Sequence, residues 1–132
     1  MSIGILLVTH LGLGPALKAA ARQILGDPLP MTVETLEVPP DADLAQLRSQ
    51  ADALLAGMDA PQTLVLTDLY GSSPANVALA AAEGPGVPVL TGVNLPMLLR
   101  VLNYAERSLT DLVDTALEGG LRSIFLAKAA IR

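Results

Sequence analysis

The chain has 132 residues, 52% of them hydrophobic, and a net charge of −5. It has no cysteine and only one histidine, which excludes disulfides and thiolate chemistry and argues against a histidine-based metal cluster. The acidic balance and the scarcity of aromatic residues argue against nucleic acid as a partner. No apolar run approaches the roughly 18 residues of a spanning helix, and the amino terminus lacks a signal-peptide pattern. We therefore expect a cytoplasmic protein with one domain over residues 1–132, no membrane insertion, and neither metal nor organic cofactor.

The first element is the apolar run 3–8, which ends at the polar pair Thr9 and His10. A short unbroken apolar run followed by turn residues is typical of a buried parallel strand. His10 should therefore lie at the carboxyl end of a central strand, where open α/β sheets bind their ligands.

Strand and helix patterns alternate along the rest of the chain, with glycine, proline and capping residues between them. Three further strands are predicted over 31–38, 63–68 and 87–91. The predicted helices run over 13–25, from Asp41 to 58, from a cap at Ser73 to 83, from 94 to about 104, and from a cap at Ser108 to 117. A turn at Gly119 and Gly120 should then lead into a last strand from Leu121 to Ala127.

This alternation predicts a three-layer α/β/α sandwich around a mainly parallel, flavodoxin-like sheet in the order 2-1-3-4. The two-glycine turn before residues 121–127 is too short for a crossover helix. We therefore expect the last strand to be antiparallel and to lie at an edge. Exposed apolar edges are often covered by a partner chain.

In this strand order the first and third strands are neighbours, so His10 and Asp68 end adjacent strands and should meet. A carboxylate on one ring nitrogen fixes the imidazole tautomer and leaves the other nitrogen as a nucleophile.

The loop of Gly71, Ser72 and Ser73 leads into a helix amino terminus, which is a ready anion site. Together these features indicate phosphoryl transfer to and from imidazole, with a phosphoprotein as donor because the lysine and metal ligands of nucleotide hydrolysis are missing. Residues expected to support the wall of the site are Thr9, Thr67 and Asn94.

Other interpretations of these residues remain open at this point. His10 could make only structural hydrogen bonds, and Asp68 could only cap a turn. Gly12 and Gly14 resemble the start of a dinucleotide-binding fingerprint, with Glu34 or Glu37 as the ribose acid, but Leu17 stands at the third glycine position. A serine triad through Ser72 or Ser73 lacks the G-x-S-x-G elbow.

Three segments resemble the IIA domain of the mannose (mannose–fructose–sorbose) family of the bacterial phosphoenolpyruvate-dependent sugar phosphotransferase system. They are Gly-Ile-Leu-Leu-Val-Thr-His at 4–10, Leu-Thr-Asp-Leu-Tyr-Gly-Ser-Ser-Pro-Ala-Asn at 66–76, and Gly-Val-Asn-Leu-Pro-Met-Leu at 92–98. Their order and spacing follow the family, and the resemblance covers essentially the whole chain.

The resemblance implies that His10 accepts a phosphoryl group from the carrier protein HPr and passes it to a separate IIB component. It also implies that Asp68 orients His10, that the loop at Ser73 contributes to the phosphate pocket, and that two chains exchange their last strands in a homodimer. An alternative role is a regulatory phosphoprotein that reports phosphorylation state instead of feeding a transporter. Two positions depart from the family pattern, because Leu11 and Ser72 stand where glycine is usual.

Overall fold

The molecule is built around a parallel sheet, seen in a computed structural model that describes residues 3–129. Its strands are β1 (Gly4–His10), β2 (Val33–Val38), β3 (Thr63–Thr67) and β4 (Val89–Thr91). They lie side by side in the order β2-β1-β3-β4, and every neighbouring pair is parallel. The predicted strand order is therefore confirmed, with β1 in the interior of the sheet.

Helices cover both faces of this sheet. They are α1 (Leu13–Leu25), α2 (Leu44–Ala56), α3 (Ser73–Glu83), α4 (Leu95–Asn103) and α5 (Leu109–Leu121). Helices α1, α4 and α5 pack on one face, and α2 and α3 pack on the other. The predicted three-layer sandwich is thus confirmed. Within residues 3–129, none of the helices combines the length and apolar character needed to cross a membrane.

Strand β1 supplies apolar side chains to both cores. Ile5 and Leu7 face the core under α1, α4 and α5, while Leu6 and Val8 face the core under α2 and α3. Alternation along a strand sends successive side chains to opposite faces, so a strand covered on both faces must be apolar throughout. All of β1 except His10 is buried. His10 is thus the first residue of this strand to reach solvent.

The structure moves several predicted boundaries by a few residues. Helix α2 begins at Leu44, because the carboxylate of Asp43, and not of Asp41, accepts the first-turn N–H groups. Helix α3 includes Ser73, and Ser72 is the residue at its N-cap. Strands β2 and β4 begin two residues later than predicted, at Val33 and Val89.

The carboxyl-terminal prediction differs most from the structure. Gly119 and Gly120 do not form a turn but lie inside α5, where they let the helix approach α4 closely. A Cβ atom on Gly119 would lie 2.6 Å from Cβ of Arg100, which is a steric clash. Leu121 ends α5, and no strand forms between residues 122 and 129 in this single chain. A strand needs a neighbouring backbone as its pairing partner, and within one chain residues 122–129 pair with neither edge strand of the sheet, β2 or β4.

Candidate functional site

The site is centred on a contact between His10 at the end of β1 and Asp68 just after β3. Oδ2 of Asp68 lies 2.7 Å from Nδ1 of His10, and the same oxygen accepts the backbone N–H of His10 at 3.0 Å. The two residues meet because β1 and β3 are adjacent and in register, with Val8 opposite Thr67. The Asp68 side chain is 9% exposed, whereas the His10 side chain is 50% exposed. The predicted pair therefore forms, with its carboxylate inside and its imidazole at the surface.

The contact determines the chemistry of the imidazole. An ionised carboxylate only accepts hydrogen bonds, so Nδ1 carries the proton and its N–H donates a hydrogen bond to Oδ2 of Asp68. Nε2 then keeps the lone pair when the ring is neutral. Burial by itself raises the pKa of Asp68, but the hydrogen bonds from the ring and the backbone N–H of His10 outweigh burial and hold that pKa below its usual value. Asp68 is therefore the permanent anion of the pair at neutral pH.

The loop between β3 and α3 brings backbone and hydroxyl groups to the same edge of the sheet. Gly71 has a φ of +83°, a left-handed conformation that favours glycine. The hydroxyl of Ser72 donates to the carbonyl oxygen of Leu69 at 2.6 Å, so its proton is already engaged. Ser73 is exposed and begins α3. Its N–H is one of the first-turn groups for which a helix has no internal acceptor.

The three predicted supporting residues have different positions. Thr9 is fully buried, and its hydroxyl donates to the carbonyl of His10 at 2.9 Å and accepts the N–H of Gly14 at 2.8 Å. The side chain of Asn94 caps α4 and donates to the carbonyl of Gly120, so its hydrogen bonds go to α4 and α5. Thr67 is fully buried, and among the described residues its hydroxyl has no hydrogen-bond partner. Thr9 is thus the one of the three with a hydrogen bond to His10.

A contact between Glu37 and the turn after His10 was not predicted from the sequence, in which Glu37 was considered only as a ribose ligand. The Glu37 carboxylate accepts the N–H of Gly12 at 2.9 Å, just after His10. The signal that could have revealed it is the strand order, because β2 and β1 are parallel neighbours and Glu37 pairs with Thr9. Gly14 is explained by packing, since a Cβ there would lie 3.1 Å from the Thr9 hydroxyl. Gly12 has a φ of +88°, a left-handed conformation that favours glycine, so both glycines and Glu37 have roles in the fold that do not involve a dinucleotide.

Three exposed apolar side chains closely follow His10 and Asp68 in the chain. Leu11 follows His10, and Leu69 and Tyr70 follow Asp68; these side chains are between 60% and 74% exposed. The His10 side chain is itself 50% exposed at this edge, and a cavity of about 580 Å³, near Thr63 and Val87, lies at the opposite, amino-terminal ends of β3 and β4. Small substrates are usually enclosed in concave pockets, whereas protein partners contact open surfaces of this kind.

Three solved structures with the same fold are described as phosphotransferase-system IIA proteins. The component EIIA from Streptococcus agalactiae is 25% identical, with a TM-score of 0.83 over 93% of this chain and 95% of that one. The IIA protein associated with the fucose utilization operon of Streptococcus pneumoniae is 27% identical, with a TM-score of 0.75 over 96% and 93%. The mannose/sorbose-specific IIA subunit from Enterococcus faecalis has a TM-score of 0.85 over 100% and 99%, and at 22% identity it supports the fold alone.

The amino-acid sequence is also similar to that of a curated protein and to a family model. A curated relative, dihydroorotate dehydrogenase (quinone) from Rhodospirillum rubrum, is 28% identical over 86% of this chain. This chain spans only 32% of the length of that relative, whose name describes the longer protein. The sequence model of the EIIA-man family, described as PTS system fructose IIA component, matches residues 4–117. The chain therefore belongs to the EIIA-man family of phosphotransferase-system IIA components.

Proposed function

We propose that this chain, as one IIA domain over residues 1–132, is a cytoplasmic phosphocarrier whose His10 accepts a phosphoryl group from phosphorylated HPr and passes it to a IIB component. The observation that carries this proposal is the contact between His10 and Asp68, with 2.7 Å between Nδ1 and Oδ2. The contact supports a histidine nucleophile because it holds the proton on Nδ1 and leaves the lone pair of Nε2 free to attack. Family membership supports the two partners.

The transfer is an exchange of one nitrogen–phosphorus bond for another. The lone pair of Nε2 of His10 attacks the phosphorus of the donor phosphohistidine, and the donor ring leaves with the electron pair of the bond that breaks. The ring of His10 then carries a proton on Nδ1 and the phosphoryl group on Nε2, so it gains positive charge. Asp68 stabilises that charge directly, and its low pKa keeps it ionised throughout. Transfer to IIB reverses these steps, with a IIB histidine as the nucleophile.

The phosphoryl group needs hydrogen-bond donors, and we assign these to the loop before α3. Ser73 offers an exposed hydroxyl and a first-turn N–H at a helix amino terminus, which favours anions. Gly71 allows the phosphate to approach the backbone, because no side chain projects there. Ser72 contributes less in this scheme, since its hydroxyl already donates a hydrogen bond to the carbonyl oxygen of Leu69.

Thr9 supports the site by fixing the backbone of His10. Thr67 and Asn94 are assigned to the wall behind this edge.

Donor and acceptor both have to reach Nε2, so both must dock on the same exposed edge. Leu11, Leu69 and Tyr70 provide the apolar centre of this docking surface. Aromatic residues at the centre of an interface commonly dominate its binding energy. Leu11, which stands where the family usually has glycine, adds an apolar side chain directly beside the nucleophile.

We further propose that two chains form a homodimer by exchanging the segment 121–127. Ile124, Phe125 and Leu126 are consecutive, large and apolar, and they are 76%, 73% and 93% exposed in a single chain. Such a cluster is costly in water and is typical of an interaction site. Strand β4 ends the sheet with only three residues, and its open edge offers a backbone on which the partner's segment can pair.

The proposal is tested by following labelled phosphate from phosphoenolpyruvate through enzyme I and HPr to this chain. We expect acid-labile, alkali-stable label on the wild-type chain and none on His10→Ala. The matched control is Lys18→Ala, which removes an ionisable side chain from α1 outside the site. Label on His10→Ala, or none on the wild type, would overturn the proposal.

A second stage of the same experiment separates transport from regulation. The labelled chain is mixed with IIB proteins encoded near it, and the label is followed to IIB and then to sugar. Movement of the label to sugar is the expected result. Label that stays on His10 with every IIB protein would instead favour the regulatory alternative.

A further inference from the structure

We propose that Glu37 is a positioning residue for phosphoryl transfer at His10, a role that rests on the proposed function. Glu37 lies in β2, on the strand next to the one that carries the nucleophile. Its carboxylate acts on the backbone of the turn after His10 and not on the imidazole itself. The inference therefore concerns how the turn that partners meet is held in place.

The turn after His10 is fixed at three points by side chains that accept backbone N–H groups. Asp68 accepts the N–H of His10 at 3.0 Å, and Thr9 accepts that of Gly14 at 2.8 Å. Glu37 accepts the N–H of Gly12, midway between them, at 2.9 Å. The outer two contacts hold the ends of the turn, and its middle is held by Glu37 on the N–H of Gly12 and by the N–H of Ala16, which donates to the Gly12 carbonyl at 3.3 Å.

The middle of the turn is the part whose backbone has the greatest conformational freedom. Gly12 has a φ of +88°, lies exposed, and as glycine has access to many backbone conformations. Leu11, beside it, has a side chain that is 63% exposed, and the proposed function places it on the docking surface. Without the Glu37 contact, Gly12 and Leu11 would sample other conformations, and a docking partner would have to order them at an entropic cost.

A role through the hydrogen bond and a role through the negative charge of Glu37 predict different transfer rates for Glu37→Gln. Glutamine keeps an acceptor oxygen of the same reach but carries no charge. If the hydrogen bond positions the turn, Glu37→Gln should preserve transfer, and Glu37→Ala should not. The conservative variant therefore distinguishes positioning from a purely electrostatic effect on the phosphoryl group.

The test measures initial rates of labelling by phosphorylated HPr for the wild type, Glu37→Ala and Glu37→Gln. We expect kcat/KM to fall about tenfold in Glu37→Ala, because the docking partner must then order Gly12 and Leu11, and to stay within about twofold in Glu37→Gln. Amide hydrogen exchange at Gly12 should accelerate in Glu37→Ala only. The matched control is Glu34→Ala, which removes the same charge from the same strand, three residues away. Thermal unfolding confirms that every variant is folded.

Each outcome supports or overturns the inference. Slow transfer and fast Gly12 exchange in Glu37→Ala, with rescue in Glu37→Gln, would support it. Equal rates in Glu37→Ala and the wild type would overturn this inference alone, as would equal losses in Glu37→Gln and Glu37→Ala. Failure of the wild type to accept label would overturn the proposed function, and this inference with it.

Discussion

A single oxygen of Asp68 holds both the ring and the backbone of His10. Oδ2 lies 2.7 Å from Nδ1 and accepts the backbone N–H at 3.0 Å. The orientation of the imidazole is therefore fixed relative to its own strand end by the neighbouring strand. A nucleophile that is half-exposed would otherwise sample several side-chain rotamers, and ordering them would add to the barrier for transfer.

The first prediction concerns this carboxylate. Replacing Asp68 by asparagine should lower the initial rate of labelling by phosphorylated HPr by about 100-fold or more, because the amide no longer stabilises the positive ring and favours no single tautomer. The measurement is the rate of phosphohistidine formation at fixed donor concentration. Asp52→Asn serves as control, since Asp52 is an exposed carboxylate on α2. A rate for Asp68→Asn close to that of the wild type would contradict the role of Asp68.

The second prediction is a pH dependence of stability. The pKa of Asp68 is lowered in the folded chain from 3.8, so near and below that pH the unfolded chain binds more protons than the folded one. The contribution of Asp68 to the free energy of unfolding is therefore fully present above pH 3.8 and is lost as the pH falls through the folded-state pKa. Urea titrations should show the difference between wild type and Asp68→Asn shrinking over this acidic range. A difference that stays constant there would contradict the lowered pKa.

The strand order could be predicted because alternating strands and helices commonly adopt the flavodoxin-like order, and the central pair because both of its residues stand where an apolar run ends. Residues 3–8 are apolar throughout and stop at His10, and the run ending at Thr67 stops at Asp68. Parallel strands end at the same edge of a sheet, so adjacency alone brings His10 and Asp68 together. This part of the site needed only the chain order of strands and helices and the common flavodoxin-like strand order.

The parts that were missed depend on side-chain packing between distant elements. Gly119 and Gly120 were predicted as a turn because paired glycines are typical of turns, but their lack of side chains instead lets α5 approach Arg100 and Met97 on α4. The acceptor for Gly12 could not be chosen between Glu34 and Glu37 before the register of β2 against β1 was known. Local sequence patterns carry no information on such long-range contacts.

The third prediction separates the two serines of the loop before α3. Ser73→Ala should slow labelling several-fold, because it removes a hydroxyl donor from the proposed phosphate site. Ser72→Ala should leave the labelling rate within about twofold and lower the free energy of unfolding by about 1 kcal/mol, since it removes the hydrogen bond to Leu69. Labelling kinetics and urea titration on both variants provide the measurements. The assignment fails if Ser72→Ala proves the slower variant.

The fourth prediction concerns the docking surface. Tyr70→Ala should raise the KM for phosphorylated HPr by about tenfold and leave kcat nearly unchanged, because a central aromatic contributes binding without touching the reacting atoms. Tyr70 is 74% exposed, so its loss should not change the thermal unfolding temperature. Ile24→Ala is the matched control, since Ile24 is also exposed but lies at the far end of α1. A fall in kcat with unchanged KM would place Tyr70 outside the docking surface.

The fifth prediction tests the exchanged segment. Phe125→Asp combined with Leu126→Asp should convert a dimer into a monomer, because charges at these positions cannot be buried against a partner chain without a large desolvation cost. Both side chains are exposed in a single chain, so the monomer should keep its fold. Sedimentation velocity measures the oligomeric state, and circular dichroism checks the fold.

The control for this experiment is Leu44→Asp, which places a charge on another exposed leucine, at the start of α2. It should leave the dimer intact, because α2 lies far along the chain from the proposed exchange. A wild-type chain that sediments as a monomer at all concentrations would contradict the dimer outright. A dimer that survives both aspartates would show that another surface joins the chains, and residues 121–127 would then need a different partner to cover their apolar side chains.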